Sequence, residues 1–587
     1  MKTKITARLS SALLHFCTPA LLLMSVAFFS CSDYFNPTTD DELDGSKGFT
    51  SNTEMYTGFL GIIAKMQAVG DKEILLTEPR GELIEPSDES SDELIALYNY
   101  EPNLQNNSYA NPKGYYEVIL SCNDYLQNME KYKSNPSADK DAWEALISST
   151  IRTKVWAYKT LAEIYGQAIW YDASDVTPED AVNSEKNPVL PLDQVIDKCL
   201  ALMDNGFDGV PSTLEINWIA WLDPSNVSSI SSSSYRKWTY IVPAYAGLYS
   251  ELCLWKGAVM DAVGTDAKTY YKKAADLLLE ALNKQICVTS DPGSDVYWMP
   301  SGSTPGHYSP IWNYAQPYPY ESVSAIIYDF NNNQTNSLLK HFSNEFPNKY
   351  LLRPSEAGVE RFLDKTFNPG ATTSDTRYKC CFGTSSGQRY LAKFRPVGSS
   401  VRANANQDDV HIYIYRATQY HMMLCEALNH LKRFTALNAV LNTGVKAGEL
   451  DYCFSASSPE WEGFASTVDP KKCDWTADAN WGTRKYPSLG IRGCFSGLTV
   501  RTLKDNIIEL GETASLKLND EALLNESMLE FAGEGKVYPM MCRMAVRYSD
   551  PAIVANRVCT KYTDTALAAT VRSRIMDGAY WVPFKLN

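Results

Sequence analysis

Apolar residues recur at helical spacing along most of the chain. Tyr158, Leu161, Ala162 and Tyr165 fall at i, i+3, i+4 and i+7, as do Tyr245, Leu248, Tyr249 and Leu252, then Ala274, Leu277, Leu278 and Ala281, and finally Tyr420, Met423, Leu424 and Ala427. Each set puts one apolar stripe on a helix. A partner helix from Phe434 to Leu441 follows a short Lys432-Arg433 turn. The pattern predicts a mostly α fold of helix pairs stacked like tetratricopeptide units, although no strict 34-residue period runs through it. Strand-like pieces are short and local. Arg377 to Phe382 and Gln388 to Phe394 flank Gly383-Thr-Ser-Ser-Gly387 as a hairpin, which sets Cys380 and Cys381 at alternating strand positions.

The longest uncharged apolar run lies at the start. Lys2, Lys4 and Arg8 lead into Leu13 to Phe29, which Pro19 interrupts and which ends at Ser30-Cys31-Ser32-Asp33. This reads as an export signal over residues 1–30 rather than a membrane span, with Cys31 as the lipidation site and first mature residue. Acyl chains on Cys31, at roughly 0.8 kcal/mol per buried methylene, would hold the protein on a membrane. Residues 31–51 then carry Asp33, Asp40, Asp41, Glu42 and Asp44 among Asn, Pro, Thr and Gly, the composition of a flexible acidic linker.

Composition narrows the partners. Losing residues 1–30 removes three basic and no acidic side chains and takes the formal charge of the 587-residue chain from −15 to −18. Long-range repulsion opposes nucleic acid and anionic lipid as partners and favours a neutral or cationic ligand. Of 14 cysteines, Cys17 leaves with the signal and Cys31 takes lipid. The rest form no repeated C-x-x-C pattern; Cys253 and Cys425 sit in apolar helical runs, and Cys453, Cys473 and Cys494 are the expected disulfide formers.

No catalytic motif convinces. Gly383 to Gly387 matches G-x-S-x-G, but a nucleophile elbow needs a strand before and a helix after, and a hairpin is predicted. His411, His421 and His430 make no H-E-x-x-H, and Asp408-Asp409 or Asp88 with Asp92 read as surface charge. Acidic loops leave a calcium site open, without EF-hand spacing. No catalytic residue, cofactor or metal site is therefore expected.

Several segments, in order along the mature chain, resemble the SusD/RagB family of Bacteroidetes outer-membrane nutrient-binding lipoproteins. They are Glu78-Pro-Arg80-Gly-Glu82, GYYEVILSCNDYL with Asn123, RTKVWAYKTLAEIYG, ESVSAIIYDF, YLLRPSEAGVERF followed by Ser374-Asp375-Thr-Arg377, IYRATQYHMMLCEALN with Arg416 and Glu426, LEFAGEGKVY from Leu529 to Tyr538, and Trp581-Val-Pro583. Two departures are Pro539-Met540-Met541, where the family continues with an Asp-Leu and Arg-Trp run, and Ile491-Arg492 within a Cys- and Trp-rich insert. The resemblance implies a single SusD-like domain over residues 52–587, with an N-terminal SusD-like part to about 320 and a C-terminal RagB/SusD part from about 321. It implies a binding protein, not an enzyme, that captures oligosaccharide or peptide for a SusC-like TonB-dependent transporter. The acidic stretch after Cys31 also resembles the surface-export signal of Bacteroidetes lipoproteins, which implies the outer face of the outer membrane; a plain solvated linker is the other reading. The alternative is a surface lipoprotein hydrolase of the same nutrients.

Sugar rings lie on aromatic faces while their hydroxyls take hydrogen bonds from convergent polar groups. Between Tyr297 and Tyr320 the chain places Tyr297, Trp298, Tyr308, Trp312, Tyr314, Tyr318 and Tyr320 among Pro, Gly and Ser with no regular period. Tyr297, Trp298, Tyr308 and Trp312 are the expected ligand contacts, with the two tryptophans as exposed platforms. Tyr98, Tyr100 and Arg80, around an Asn-rich turn that also holds Tyr109, are the second set. Trp461, Trp475 and Trp481 of the insert are candidates for facing the transporter or for a local core. Trp218 and Trp221 could line the ligand face, and nothing in the sequence decides it.

Overall fold

The computed structural model describes residues 48–173, 176–183, 185, 187–218, 237–287, 310–313, 321–363, 375, 377–395, 407–443 and 507–586. Cys31, the export signal, most of the linker, Trp221, Tyr297, Trp298, Tyr308, Tyr314, Tyr318, Tyr320, the Cys453, Cys473 and Cys494 set, and Trp461, Trp475 and Trp481 lie outside the described residues.

The first described helix, α1 (Asn52–Val69), begins where the linker is predicted to end. Ser51 caps it by accepting from the Glu54 amide at 3.2 Å, and the Glu54 carboxylate reaches back to the Thr50 amide at 2.6 Å. This reciprocal pair satisfies donors that the helix start leaves open. Beyond it run α2 (Lys113–Tyr132), α3 (Lys140–Tyr165), α4 (Leu192–Asn205), α5 (Tyr245–Ala262), α6 (Lys268–Cys287), α7 (Ala417–His430), α8 (Leu516–Glu530), α9 (Val537–Arg547), α10 (Ala552–Val558) and α11 (Thr565–Met576). Each packs on the next, from α1 against α2 to α10 against α11, and α9 also returns onto α5. Consecutive helices thus pack side by side in the tetratricopeptide manner, and the four apolar stripes fall on α3, α5, α6 and α7 as expected.

α3 is buried almost all round, including Ser148, Thr150, Arg152, Lys154 and Lys159. A central helix of this kind must satisfy its polar groups internally. Lys159 does so on Glu163 at 2.6 Å and Glu251 at 2.9 Å, and Arg152 on the carbonyls of Ser212 and Leu214 at 2.8 and 2.9 Å. α3 ends at Gly166, whose φ of 68° is left-handed and where a Cβ would stand 2.7 Å from the Trp581 indole. Only glycine meets both conditions. The Val582 amide donates to the Ile164 carbonyl at 2.8 Å, so the C-terminal tail is stitched onto the end of α3.

The strands pair in twos, all antiparallel: β1 (Ile84–Pro86) with β5 (Leu352–Pro354), β2 (Gln167–Ile169) with β3 (Val189–Pro191), β4 (Ser322–Ile326) with β8 (Ile412–Arg416), and β6 (Phe382–Ser385) with β7 (Gln388–Leu391). The last is the predicted hairpin, turning at Ser386 and Gly387, so G-x-S-x-G there is no nucleophile elbow. Its first strand starts later than expected. Tyr378–Cys381 is a helical turn in which the amides of Cys380 and Cys381 donate to the Arg377 carbonyl, and both thiols are buried there rather than alternating on a strand. Arg377 imposes this turn, because its guanidinium is held inside by Asp375, Glu526 and Glu530 at 2.7 to 2.9 Å.

Candidate functional site

Of the aromatic stretch expected to carry ligand, residues 310–313 are described. Pro310–Asn313 forms one helical turn, and the Tyr413 hydroxyl on β8 donates to the Ile311 carbonyl at 2.7 Å. Trp312 is not an exposed platform: only 3% of it reaches solvent. Its ring receives the Lys393 ammonium at 4.3 Å and the Arg416 guanidinium at 5.6 Å from the centroid. A tryptophan at an element end that faces two buried cations is held by the core, since cation–π attraction strengthens where water is excluded.

Those cations belong to a dense buried network. Lys393 Nζ donates to Glu534 at 2.5 Å and to the Glu530 carbonyl at 3.0 Å. Arg416, at the end of β8, donates to Glu530 at 2.6 Å, Glu534 at 2.9 Å and Glu321 at 3.2 Å. Glu321 immediately precedes β4 and also accepts from the Thr418 hydroxyl at 2.8 Å. Burial pushes the Glu321 carboxyl up to about 7, although Arg416 pulls the other way. Burial also raises Glu534, but Arg416 and Lys393 outweigh it and leave that carboxyl below its ordinary value. The LEFAGEGKVY segment thus supplies Glu530 and Glu534, ESVSAIIYDF supplies Glu321, and IYRATQY the arginine, of one internal clamp beneath Trp312.

The second predicted set divides. Arg80 and Tyr100 are interior, both 0% exposed, and are corrected from surface contacts to core. The Arg80 guanidinium lies 3.9 Å from the Tyr100 centroid and 5.9 Å from that of Tyr538, and donates to the carbonyls of Ala579 at 2.6 Å and Trp581 at 3.0 Å. The rest of Glu78-Pro-Arg80-Gly-Glu82 does the same kind of work. Glu78 accepts from the Gly535 amide at 2.8 Å, and Glu82 holds Arg557 at 2.7 Å and Arg361 at 2.9 Å. Lys561 Nζ donates to the carbonyls of Pro79, Gly81 and Ile84 at 2.6, 2.6 and 3.0 Å. Burial lowers this ammonium to about 7. The motif fastens the C-terminal helices to the N-terminal ones.

Tyr98 alone of that set keeps a half-exposed ring, stacked at 4.5 Å on Tyr562 with the Lys561 ammonium 4.5 Å from its centroid. Tyr109 is half-buried and its hydroxyl meets His341 Nε2 at 2.9 Å. Trp218 is core, 5.9 Å from Phe59 and 6.2 Å from Tyr56 between centroids.

Several hollows open among the described residues, one of about 290 Å³ between α1 and α2 among them, and two bear on a ligand. One, of about 430 Å³, lies where α6, α7 and α9 meet and is walled by Asp261, Tyr271, His430, Arg547 and Tyr548. His430 stacks on Tyr271 at 4.6 Å and is pinned to Asp520 at 2.9 Å, and Tyr271 donates to Asp261 at 2.5 Å. The polar groups there largely satisfy one another. The other, of about 190 Å³, is lined by α1, Trp238 and the turn after β4. Sequence reasoning missed it because its walls come from three segments far apart in the chain. Among the described residues no group of three or more His, Cys, Asp or Glu is placed to hold a metal ion, and no helix is long and apolar enough to cross a membrane.

No protein-family model and no curated protein matches the chain. Solved structures do. A SusD homologue from Bacteroides thetaiotaomicron superposes with a TM-score of 0.56 at 12% identity, covering 92% of this chain and 98% of its own. A second from the same organism gives 0.55 at 16% identity over 90% and 94%. A laminarin-binding SusD-like protein gives 0.51 at 11% identity over 89% and 96%. At such low identity the shared property is the course of the backbone, and by that measure this chain has the SusD fold.

Proposed function

We propose that the protein is a cell-surface lipoprotein that binds oligosaccharide nutrients and delivers them to a partner TonB-dependent transporter in the outer membrane. The observation that carries this reading is the SusD fold, shared over nine-tenths of the chain with a laminarin-binding neighbour. A surface glycan-binding protein from Bacteroides fluxus, at a TM-score of 0.52, points the same way. The acidic chain suits a neutral ligand, and the clamp fixes Trp312 within the aromatic stretch. In this reading Cys31 carries the lipid, residues 31–51 hold the protein off the membrane, residues 52–587 act as one SusD-like domain, and Trp298, Tyr297 and Tyr308 contact ligand.

Glycan-array screening of the purified protein, with a peptide library beside it, tests the reading. Saturable binding of an oligosaccharide without turnover is expected. Binding confined to peptides would replace the ligand class, and cleavage of any glycan or peptide would replace the binding role with the hydrolase.

A further inference from the structure

α1 carries two apolar stripes. One, through Met55, Phe59, Ile62 and Met66, is buried. The other places Leu60, Ile63, Ala64 and Gln67 at i, i+3, i+4 and i+7 and leaves Leu60 and Ile63 half-buried and Ala64 exposed. This second stripe forms one side of the hollow of about 190 Å³, whose floor is completed by the buried Ile241 and Ile327 and whose wall is the half-exposed Trp238. Trp238 is braced from behind by Trp218, with ring centroids 5.6 Å apart.

The rim is made of amides. Gln67 donates its Nε2 to the Ile327 carbonyl at 2.6 Å, and its own backbone carbonyl accepts from the Tyr328 hydroxyl at 2.7 Å, so the side chain is fixed with Oε1 left to accept. Asn332 and Gln334 stand on a turn closed by the Asp329–Gln334 backbone bridge, and Asn332 Nδ2 is tied to the Asp329 carboxylate at 3.1 Å. The Gln334 side-chain amide and the Trp238 indole N–H carry no hydrogen bond among the described residues. The lining described is thus an aromatic wall, an aliphatic floor, pre-set amide donors and acceptors, and no charged side chain.

We infer that this hollow is a binding subsite for one neutral hexose unit of a glycan. The inference rests on the glycan-binding reading and places a contact away from the aromatic stretch on which that reading relies. A neutral sugar ring presents a C–H face for Trp238 and the aliphatic floor, and hydroxyls for Gln67, Asn332 and Gln334. An anionic sugar would be stripped of water with no cation in the lining to meet it, on a chain of formal charge −15. A wholly apolar ligand would strand the amides. The volume lies below the ~300 Å³ at which drug-sized pockets begin, which suits a single ring.

Isothermal titration and saturation-transfer NMR with glucose, galactose and mannose, and with glucuronate as the charged control, test this on the purified protein. At least one neutral hexose binds and glucuronate does not. Trp238→Ala weakens binding about tenfold or more, and Gln334→Ala about threefold with an unchanged melting temperature. Gln334 is exposed, so that second variant decides the matter if Trp238→Ala does not fold. Equal affinity in wild type and both variants, or a preference for glucuronate, overturns the subsite. If the array shows oligosaccharide binding that neither variant weakens, the subsite falls while the glycan-binding reading stands. If no glycan binds at all, both fall.

Discussion

Glu321 and Glu78 are carboxyls that burial holds near 7, against an ordinary value of 4.5. Between those limits the folded protein keeps protons that the unfolded chain has shed. Each therefore contributes stability that is complete below about 4.5 and lost as pH rises through about 7. Lys561 acts in the opposite window: its ammonium is lowered by burial to about 7, so its contribution begins only above that pH. These two carboxyls thus lower the melting temperature from pH 5 to pH 7, while His421, held by burial at about 4 against an ordinary 6.5, raises it up to about 6.5. Glu321→Gln is expected to remove the Glu321 share, so that the variant loses less, or gains more, than wild type between pH 5 and pH 7; a profile identical to wild type would mean that Glu321 is ionised throughout. Arg80 shows a different limit of reading residues singly. Beside an Asn-rich turn it looks like a surface contact, yet besides nearby Tyr100 its partners, Tyr538 and the carbonyls of Ala579 and Trp581, lie more than 450 positions away. Arg80→Ala removes two charge-assisted hydrogen bonds and a stacked group, and is expected to cost about 3 kcal/mol in denaturant unfolding while sparing ligand affinity.

Among the elements, those built on a single periodic face were legible and those built around buried charge were not. The stripes of α3, α5, α6 and α7 predict their helices because one apolar face is enough to define them. Trp156, inside α3 and 2% exposed, makes the consequence measurable: Trp156→Ala is expected to cost ~3 to 5 kcal/mol in denaturant unfolding. The turn at Tyr378–Cys381 was misread as strand because alternation of apolar residues cannot reveal that Arg377 is drawn inward by three acids. Trp312 was misread for the same reason, its partners Lys393 and Arg416 being invisible to local pattern. The two tryptophans of the aromatic stretch accordingly separate. Trp312→Ala empties a site between buried cations and is expected to lower the melting temperature by several degrees. Trp298→Ala is expected to leave melting unchanged and to weaken the cognate glycan roughly 30-fold, about 2 kcal/mol. Calorimetry and thermal scans on both variants check the pair; the same loss of stability in both would place Trp298 in the core as well.

At the scale of the whole molecule, one apolar cluster runs from Met55 to Phe584, and the Glu78 to Glu82 segment ties its two ends together. No helix among the described residues is long and apolar enough to cross a membrane, and the proposed function gives the work of attachment to Cys31. The arithmetic of attachment is steep. A single acyl chain gives marginal, reversible binding, whereas two or more chains at roughly 0.8 kcal/mol per methylene hold a protein for long periods. Basic residues offer no substitute, because the chain has a formal charge of −15, or −18 if residues 1–30 are removed as proposed, and an anionic membrane surface repels it. Cys31→Ala is therefore expected to move the protein from the outer-membrane fraction to the soluble fraction, or to stall it as an uncleaved precursor, with loss of acyl label in either case. Fractionation and metabolic labelling with a fatty-acid probe read this directly. Undiminished label with unchanged fractionation would mean that another thiol accepts the lipid and that the signal ends elsewhere. Release without loss of glycan binding would show that anchor and ligand face are independent, as expected if α1 begins the folded body at Asn52 and the acidic linker before it serves only as a tether.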